Sequence, residues 1–401
     1  MRFTPATIDV PAGDNLVIDL ENSDSAQVHD LVVGEVSSKR LSPGEKTTVN
    51  VGVLNQSVTA HCSVVGHENM GMVLQIKVTG LKNQVVGGSE GGELQGHHMH
   101  QMGGGANALA MPPADTPLST TIVPELPALG EERVHKIRLE ARELPLEVAP
   151  GVWQQRWTFN GRSVGPTLHG RVGDTFEVTL VNHGTMGHSL DFHAGVLSPD
   201  EPMRTIPPGK SLVYRFTAPR VGIWMYHCST MPMSAHIAGG MHGAVVIEPP
   251  NMPPVDHTYV MVQSEIYLQN VARTPKDARA VADAKVGTGM PDRMAFNGIA
   301  NQYDQKPLQV RPGERVRVWV LDAGPNRASA FHVIGTQFDV TWTEGIYGVN
   351  RQVGVGAQML PLLPAQGGFV EMTFPQPGHY AFVSHIMSDA ERGAHGTFLV
   401  R

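Results

Sequence analysis

Near the middle of the chain, Cys228, His236 and Met241 follow one another in a Cys-x7-His-x4-Met run, at the end of the apolar stretch from Val221 to Tyr226. Thiolate, imidazole and thioether together suit a blue-copper electron-transfer site, in which two His and one Cys lie near a plane and Met is a weak axial ligand. The second imidazole has to come from upstream, and His188 is the candidate. His227 directly precedes the cysteine, and neighbouring residues of a strand point to opposite faces. Cys228 is therefore expected to bind one metal and His227 another, joined by only a few covalent bonds. His193, five residues after His188, is placed to join His227 on the second metal.

A related set lies near the N-terminus: His29, Cys62, His67 and Met72, with Met70 competing for the axial position. Both cysteines of the chain sit in His-Cys-Ser, and each is followed by a His and then a Met. Two partners in a disulfide, the alternative for a pair of cysteines, would not need that coincidence. The 19 His and 19 Met cluster around the cysteines, and this mixture of soft and borderline donors points to copper rather than magnesium or calcium. In the N-terminal set Gly34 stands where a partner imidazole for a second metal would be, so one copper is expected there.

These ligands need scaffolding, and the chain supplies one pattern three times. Pro11-Ala12-Gly13-Asp14, Arg171-Val172-Gly173-Asp174 and Arg311-Pro312-Gly313-Glu314 each read as a tight turn feeding an alternating strand. A His follows each turn (His29, His188, His332), and each copy closes with a strand and a ligand-bearing loop at His61-Cys62, His227-Cys228 or Ser384-His385. Low charge and plentiful Gly and Pro favour all-β architecture. The pattern resembles the cupredoxin fold over nearly the whole chain, which implies three tandem Greek-key β-sandwiches at 1–80, 120–250 and 251–401. Residues 81–119 are rich in Gly, His and Met and read as a linker that cannot form a core. One helix is expected over 276–285, capped by Thr274 with Pro275 in its first turn.

The run His188-Ser189-Leu190-Asp191-Phe192-His193, taken with His227-Cys228, resembles the copper-containing nitrite reductases, here with an additional N-terminal cupredoxin. The resemblance implies a type 1 copper on His188, Cys228, His236 and Met241. It implies a type 2 copper on His193, His227 and His385, the last donated by a neighbouring subunit of a homotrimer. Asp191 and His332 match the family's catalytic pair, and Ile334 matches an apolar residue that caps the substrate. The third copy has no cysteine, so its His332 and His385 are free for such work. With His29, Cys62, His67 and Met72 as a further type 1 site, about three coppers per chain are expected, one for each ligand set. Nitrite is the implied substrate, reduced to nitric oxide, with electrons from an external donor protein or small reductant. The Cys228–His236 loop is shorter than in well-known members, and Gln337 replaces a further His that many of them carry.

Two other readings remain open at this level. A laccase-like multicopper oxidase normally uses paired His-x-His motifs, and the only one here is His98-Met99-His100 in the linker. A non-enzymatic copper electron carrier would not need His193, His227 and His385 where they are. A net charge of −7 argues against nucleic acid, and no apolar run is long enough to cross a membrane. Copper on methionine and thiol ligands suits a compartment outside the cytoplasm, the periplasm or outer cell surface, with any export signal absent from this chain.

Overall fold

The structure is a computed structural model that describes residues 2–25, 28–34, 36–62, 72–80, 111–112 and 115–401. His67 and most of the 81–119 segment lie outside the described residues. The chain divides into two compact units, 1–108 and 109–401. The regular structure of the described part is nearly all strand, with only short helices, as the composition implies.

In the first unit a five-stranded sheet runs in the order Thr7–Pro11, Val73–Thr79, Val58–His61, Val32–Val33, Val36–Ser37. A two-stranded sheet, Asn15–Glu21 with Lys46–Val53, supplies the other layer. Period-2 alternation places Leu16, Ile18 and Leu20 against Val10, Val33, Leu74 and Ile76 of the larger sheet. Cys62 and Met72 belong to this same core.

The second unit contains two sandwiches. In the first, the sheet Leu168–Arg171, His242–Glu248, Gly222–His227, Asp191–Phe192 covers the sheet Ser211–Thr217, Thr175–Asn182, Val134–Ala149, Val152–Phe159. Phe176, Val178, Leu180 and Tyr214 from one layer meet Phe192, Tyr226, Val245 and Ile247 from the other. The second sandwich pairs a six-stranded sheet, which includes His257–Ile266, Arg315–Asp322 and Gly367–Thr373, with a five-stranded sheet, which includes Gly378–Ser384, Ser329–Val333 and His395–Val400.

The sequence pattern has a direct counterpart in the topology. Gly13, Gly173 and Gly313 adopt positive φ of 94°, 85° and 82°, the left-handed turn geometry that favours glycine. In each case the strand before the turn pairs in parallel with the last strand of its own sandwich. Thr7–Pro11 pairs with Val73–Thr79, Leu168–Arg171 with His242–Glu248, and Lys306–Val310 with His395–Val400.

A third core joins the two sandwiches of the second unit. Ile223, Met225, Ala244 and Val246 of one meet Val260, Val262, Trp319, Trp342 and Phe369 of the other. Strand Gly222–His227 is thus buried on both faces: Ile223 and Met225 enter this joining core, while Tyr226 and Cys228 enter the core of their own sandwich. At the junction the backbones approach closely, and a Cβ at Gly367 would lie 2.4 Å from Ile223 Cγ2.

The helix expected over 276–285 does not form as one element. A short 3-10 turn, Pro275–Asp277, and a single α-turn, Asp283–Val286, replace it. Between them Val281 bridges to Leu268, and Val281 and Ala282 pack into the first sandwich's core. That burial outweighs a weak local helical preference.

Gly367→Ala is expected to destabilise the apoprotein by about 1–3 kcal/mol, the usual cost of overpacking, measured by urea unfolding. An unchanged midpoint would mean that the sandwiches part there without cost.

Candidate metal centres

Cys228 stands one residue past strand Gly222–His227, with its thiol fully buried. Its Sγ lies 3.3 Å from His236 Nδ1 and 3.9 Å from His188 Nδ1. The three donor atoms fall within 4.8 Å of one another. His188 is held by paired backbone hydrogen bonds with Ile206. His236 rides on the short helix Met233–Ala238, and the Trp157 ring packs against it at 4.7 Å. Met241 is buried in the same core, and its carbonyl accepts the Cys228 N–H at 3.0 Å. The Ser189 N–H points at the thiol from 3.4 Å.

Electrostatics keep these imidazoles neutral, the state in which they bind metal. Burial, reinforced by the neighbouring His188, pulls the pKa of His236 down to about 4. Burial also lowers His188, against the opposing pull of Glu143. A buried thiol facing two neutral imidazoles, with a thioether in the same core, fits copper.

His227 points the other way. Antiparallel pairing sets it opposite Asp191, and its Nε2 lies 3.1 Å from His193 Nε2. Asp191 Oδ2 is 3.7 Å from both nitrogens. His227 Nδ1 donates to the Cys228 carbonyl at 3.0 Å, which fixes the tautomer and leaves Nε2 as the metal-binding atom. The His193 pKa is lowered by burial and by His227, with Asp191 opposing. This group is more open than the Cys228 group, since the His193 side chain is 31% exposed and Asp191 23%. Two convergent imidazoles beside a carboxylate, with open access, suit a metal that keeps a free coordination position.

His332 and His385 form a second imidazole pair, with ring centroids 5.3 Å apart. His332 lies on strand Ser329–Val333, and its Nδ1 donates to the Gln358 carbonyl at 2.6 Å. His385 follows strand Gly378–Ser384, is anchored through its N–H to the Ala330 carbonyl, and is exposed. Ile334, two residues after His332, is 45% exposed. Among the described residues of one chain, His385 does not join the Asp191–His193–His227 group.

In the first unit, Cys62 Sγ lies 3.9 Å from His29 Nδ1, both residues buried. Met72 is buried beside them, and the Cys62 N–H donates to the Met72 carbonyl, the bond that Cys228 makes to Met241. His67 lies outside the described residues.

The sequence reading missed the surroundings of these groups. Trp157 and Glu143 carry no spacing signal, because separate strands deliver them, whereas Asp24 lies five residues before His29. Ser189 was within reach, since it adjoins His188. Of the histidines without an expected role, His242 is buried and hydrogen-bonded to the Ile237 carbonyl, and His395 is paired with Asp304.

Two family models, both described as multicopper oxidase, match residues 141–252 and 234–400. The copper-containing nitrite reductase of Neisseria gonorrhoeae is 33% identical over 291 residues, covering 70% of this chain and 73% of that protein. The one from Alcaligenes xylosoxydans xylosoxydans is also 33% identical, covering 67% of this chain and 86% of the relative. Among solved structures, a copper nitrite reductase from Nitrosomonas europaea superposes with TM-score 0.59 at 31% identity, over 67% of this chain and 94% of that one. The chain belongs to the copper-containing nitrite reductase family, and copper is its cofactor.

Proposed function

We propose that this protein reduces nitrite to nitric oxide and water, a conversion that consumes one electron and two protons. The observation that carries the reading is the divergence of two adjacent side chains. Cys228 faces His188 and His236 inside its own sandwich, while His227 faces His193 and Asp191 outside it. Only a few covalent bonds separate the thiol from the imidazole, so the two donor sets share a through-bond path for an electron.

In this reading His188, Cys228, His236 and Met241 hold a type 1 copper. His193 and His227, with His385 of another copy in a homotrimer, hold a type 2 copper. The exposure of His385 and its separation from His193 and His227 within one chain support an intersubunit site. Copper there supplies a Lewis acid and the electron.

The chain's own residues do the rest. Asp191, beside both ligand nitrogens and partly open to solvent, is placed to give a proton to the oxygen that leaves as water. His332 of the copy that supplies His385, fixed by its bond to the Gln358 carbonyl, gives the other from the opposite side. Ile334 presents an apolar surface that confines a small anion. His29, Cys62, His67 and Met72 hold a second type 1 copper in a tethered domain, which takes electrons from an external donor. Tethering by 81–119 raises that domain's effective concentration without any new contact. We place the protein outside the cytoplasm, as its ligand chemistry suggests.

Nitric oxide formed from nitrite by the copper-loaded, chemically reduced protein is the direct test. Oxygen consumption with a phenolic donor, and no nitric oxide, would replace this reading with an oxidase. Asp191→Asn and His332→Ala should each lower turnover by roughly 10²–10⁴-fold, while the cysteine–copper absorption stays intact. Full turnover in either variant removes its assigned role. His385→Ala should reduce copper content from about three to about two per chain without bleaching the colour. Mass determination in solution should give a trimer, and a copper-replete monomer would exclude the shared site.

A further inference from the structure

The cysteine-bearing sites have a feature that the ligand assignment does not use. His188 Nδ1 faces Cys228, and the far ring nitrogen, Nε2, is buried with no hydrogen-bond partner among the described residues. The Glu143 carboxylate faces it, with Oε1 at 3.7 Å. Glu143 reaches in from strand Val134–Ala149 and is held by Thr185, whose N–H and hydroxyl each donate to it at 2.7 Å. Space for the approach comes from Gly184, where a Cβ would lie 2.7 Å from Glu143 Oε1 and 3.1 Å from His188 Nε2.

The first unit repeats the arrangement with different residues. His29 Nδ1 faces Cys62, and His29 Nε2 lies 3.4 Å from Asp24 Oδ2. Here the carboxylate comes from five residues upstream, not from another strand. The same juxtaposition thus arises twice by unrelated routes. His332, in the copy without a cysteine, meets a neutral backbone carbonyl instead.

We propose that Glu143 is a positioning residue for the Cys228 copper site, orienting the His188 ring and holding the site's reduction potential down, and that Asp24 does the same for the Cys62 site. This rests on the copper ligand sets proposed above. A metal on Nδ1 leaves the proton on Nε2, and a carboxylate facing that N–H fixes the ring and raises its basicity as a ligand. A fixed negative charge also favours the more positive oxidised metal over the reduced one. The Asp24 side chain is more exposed than that of Glu143, 29% against 13%, so water screens it more and the Cys62 site feels the smaller effect.

The test is a redox titration of copper-loaded full-length protein, following the cysteine–copper absorption in a Cys62→Ser background that leaves one coloured site. Glu143→Gln should raise the midpoint by about a tenfold shift in the oxidised-to-reduced ratio, ~59 mV for one electron. Thr185→Val, on the exposed side of the carboxylate, should shift it the same way by less. Glu143→Asp should restore the potential more closely than Gln does. In a Cys228→Ser background, Asp24→Asn should raise the other midpoint. A purely structural role would lower the apoprotein's melting temperature and leave the potential unmoved. Unchanged midpoints in both Glu143→Gln and Thr185→Val, with the absorption intact, overturn the proposal alone. A wild-type protein without that absorption overturns the ligand assignment and the proposal with it.

Discussion

The burial of strand Gly222–His227 on both faces is the constraint on which the sites depend. A strand on a sandwich surface has one face in solvent, and its alternate residues have no common task. Here Ile223 and Met225 enter the core that joins two sandwiches, while Tyr226 enters the core of one. The pleat continues past the strand, so Cys228 stays in the dry interior and His227 emerges where Asp191 and His193 wait. A slip of one residue would exchange the two side chains and destroy both groups. Packing on two faces makes that slip costly.

The two groups differ in access, and the difference suits different work. The thiol group is closed: Cys228, His188 and His236 are all buried, and burial suppresses protonation of the imidazoles. Rigid, water-poor surroundings change little between oxidation states, as electron transfer favours. The His193–His227 group is partly open and carries a carboxylate within 4 Å of each nitrogen. That access and that carboxylate are what the proposed nitrite chemistry would use. His332, Ile334 and His385 lie on the other sandwich with exposed side chains among them.

Much of this was legible in the residues. The Gly turns at 13, 173 and 313 announced the repeat, because only a few residue types accept positive φ there. The Cys-x7-His-x4-Met run announced the thiol site, because donors close in sequence on one loop must stay close in space. Adjacency of His227 and Cys228 implied opposite faces, because strand geometry has period two. The 276–285 segment was misread because its composition carries a weak helical preference, while its packing on the first sandwich, invisible locally, is the stronger term.

Short-range covalent geometry therefore determined which residue types could bind metal and on which side of a strand each would stand. It did not determine what faces the far side of each ring. Glu143 meets His188 across a sheet and Thr185 steadies it, and Trp157 reaches His236 from a third strand. Those encounters arise from the closing of two layers over a shared core, and no spacing within the chain encodes them. The joining core is of the same kind: it forms between sheets of two different sandwiches, where side-chain shape and backbone approach at Gly367 decide the fit.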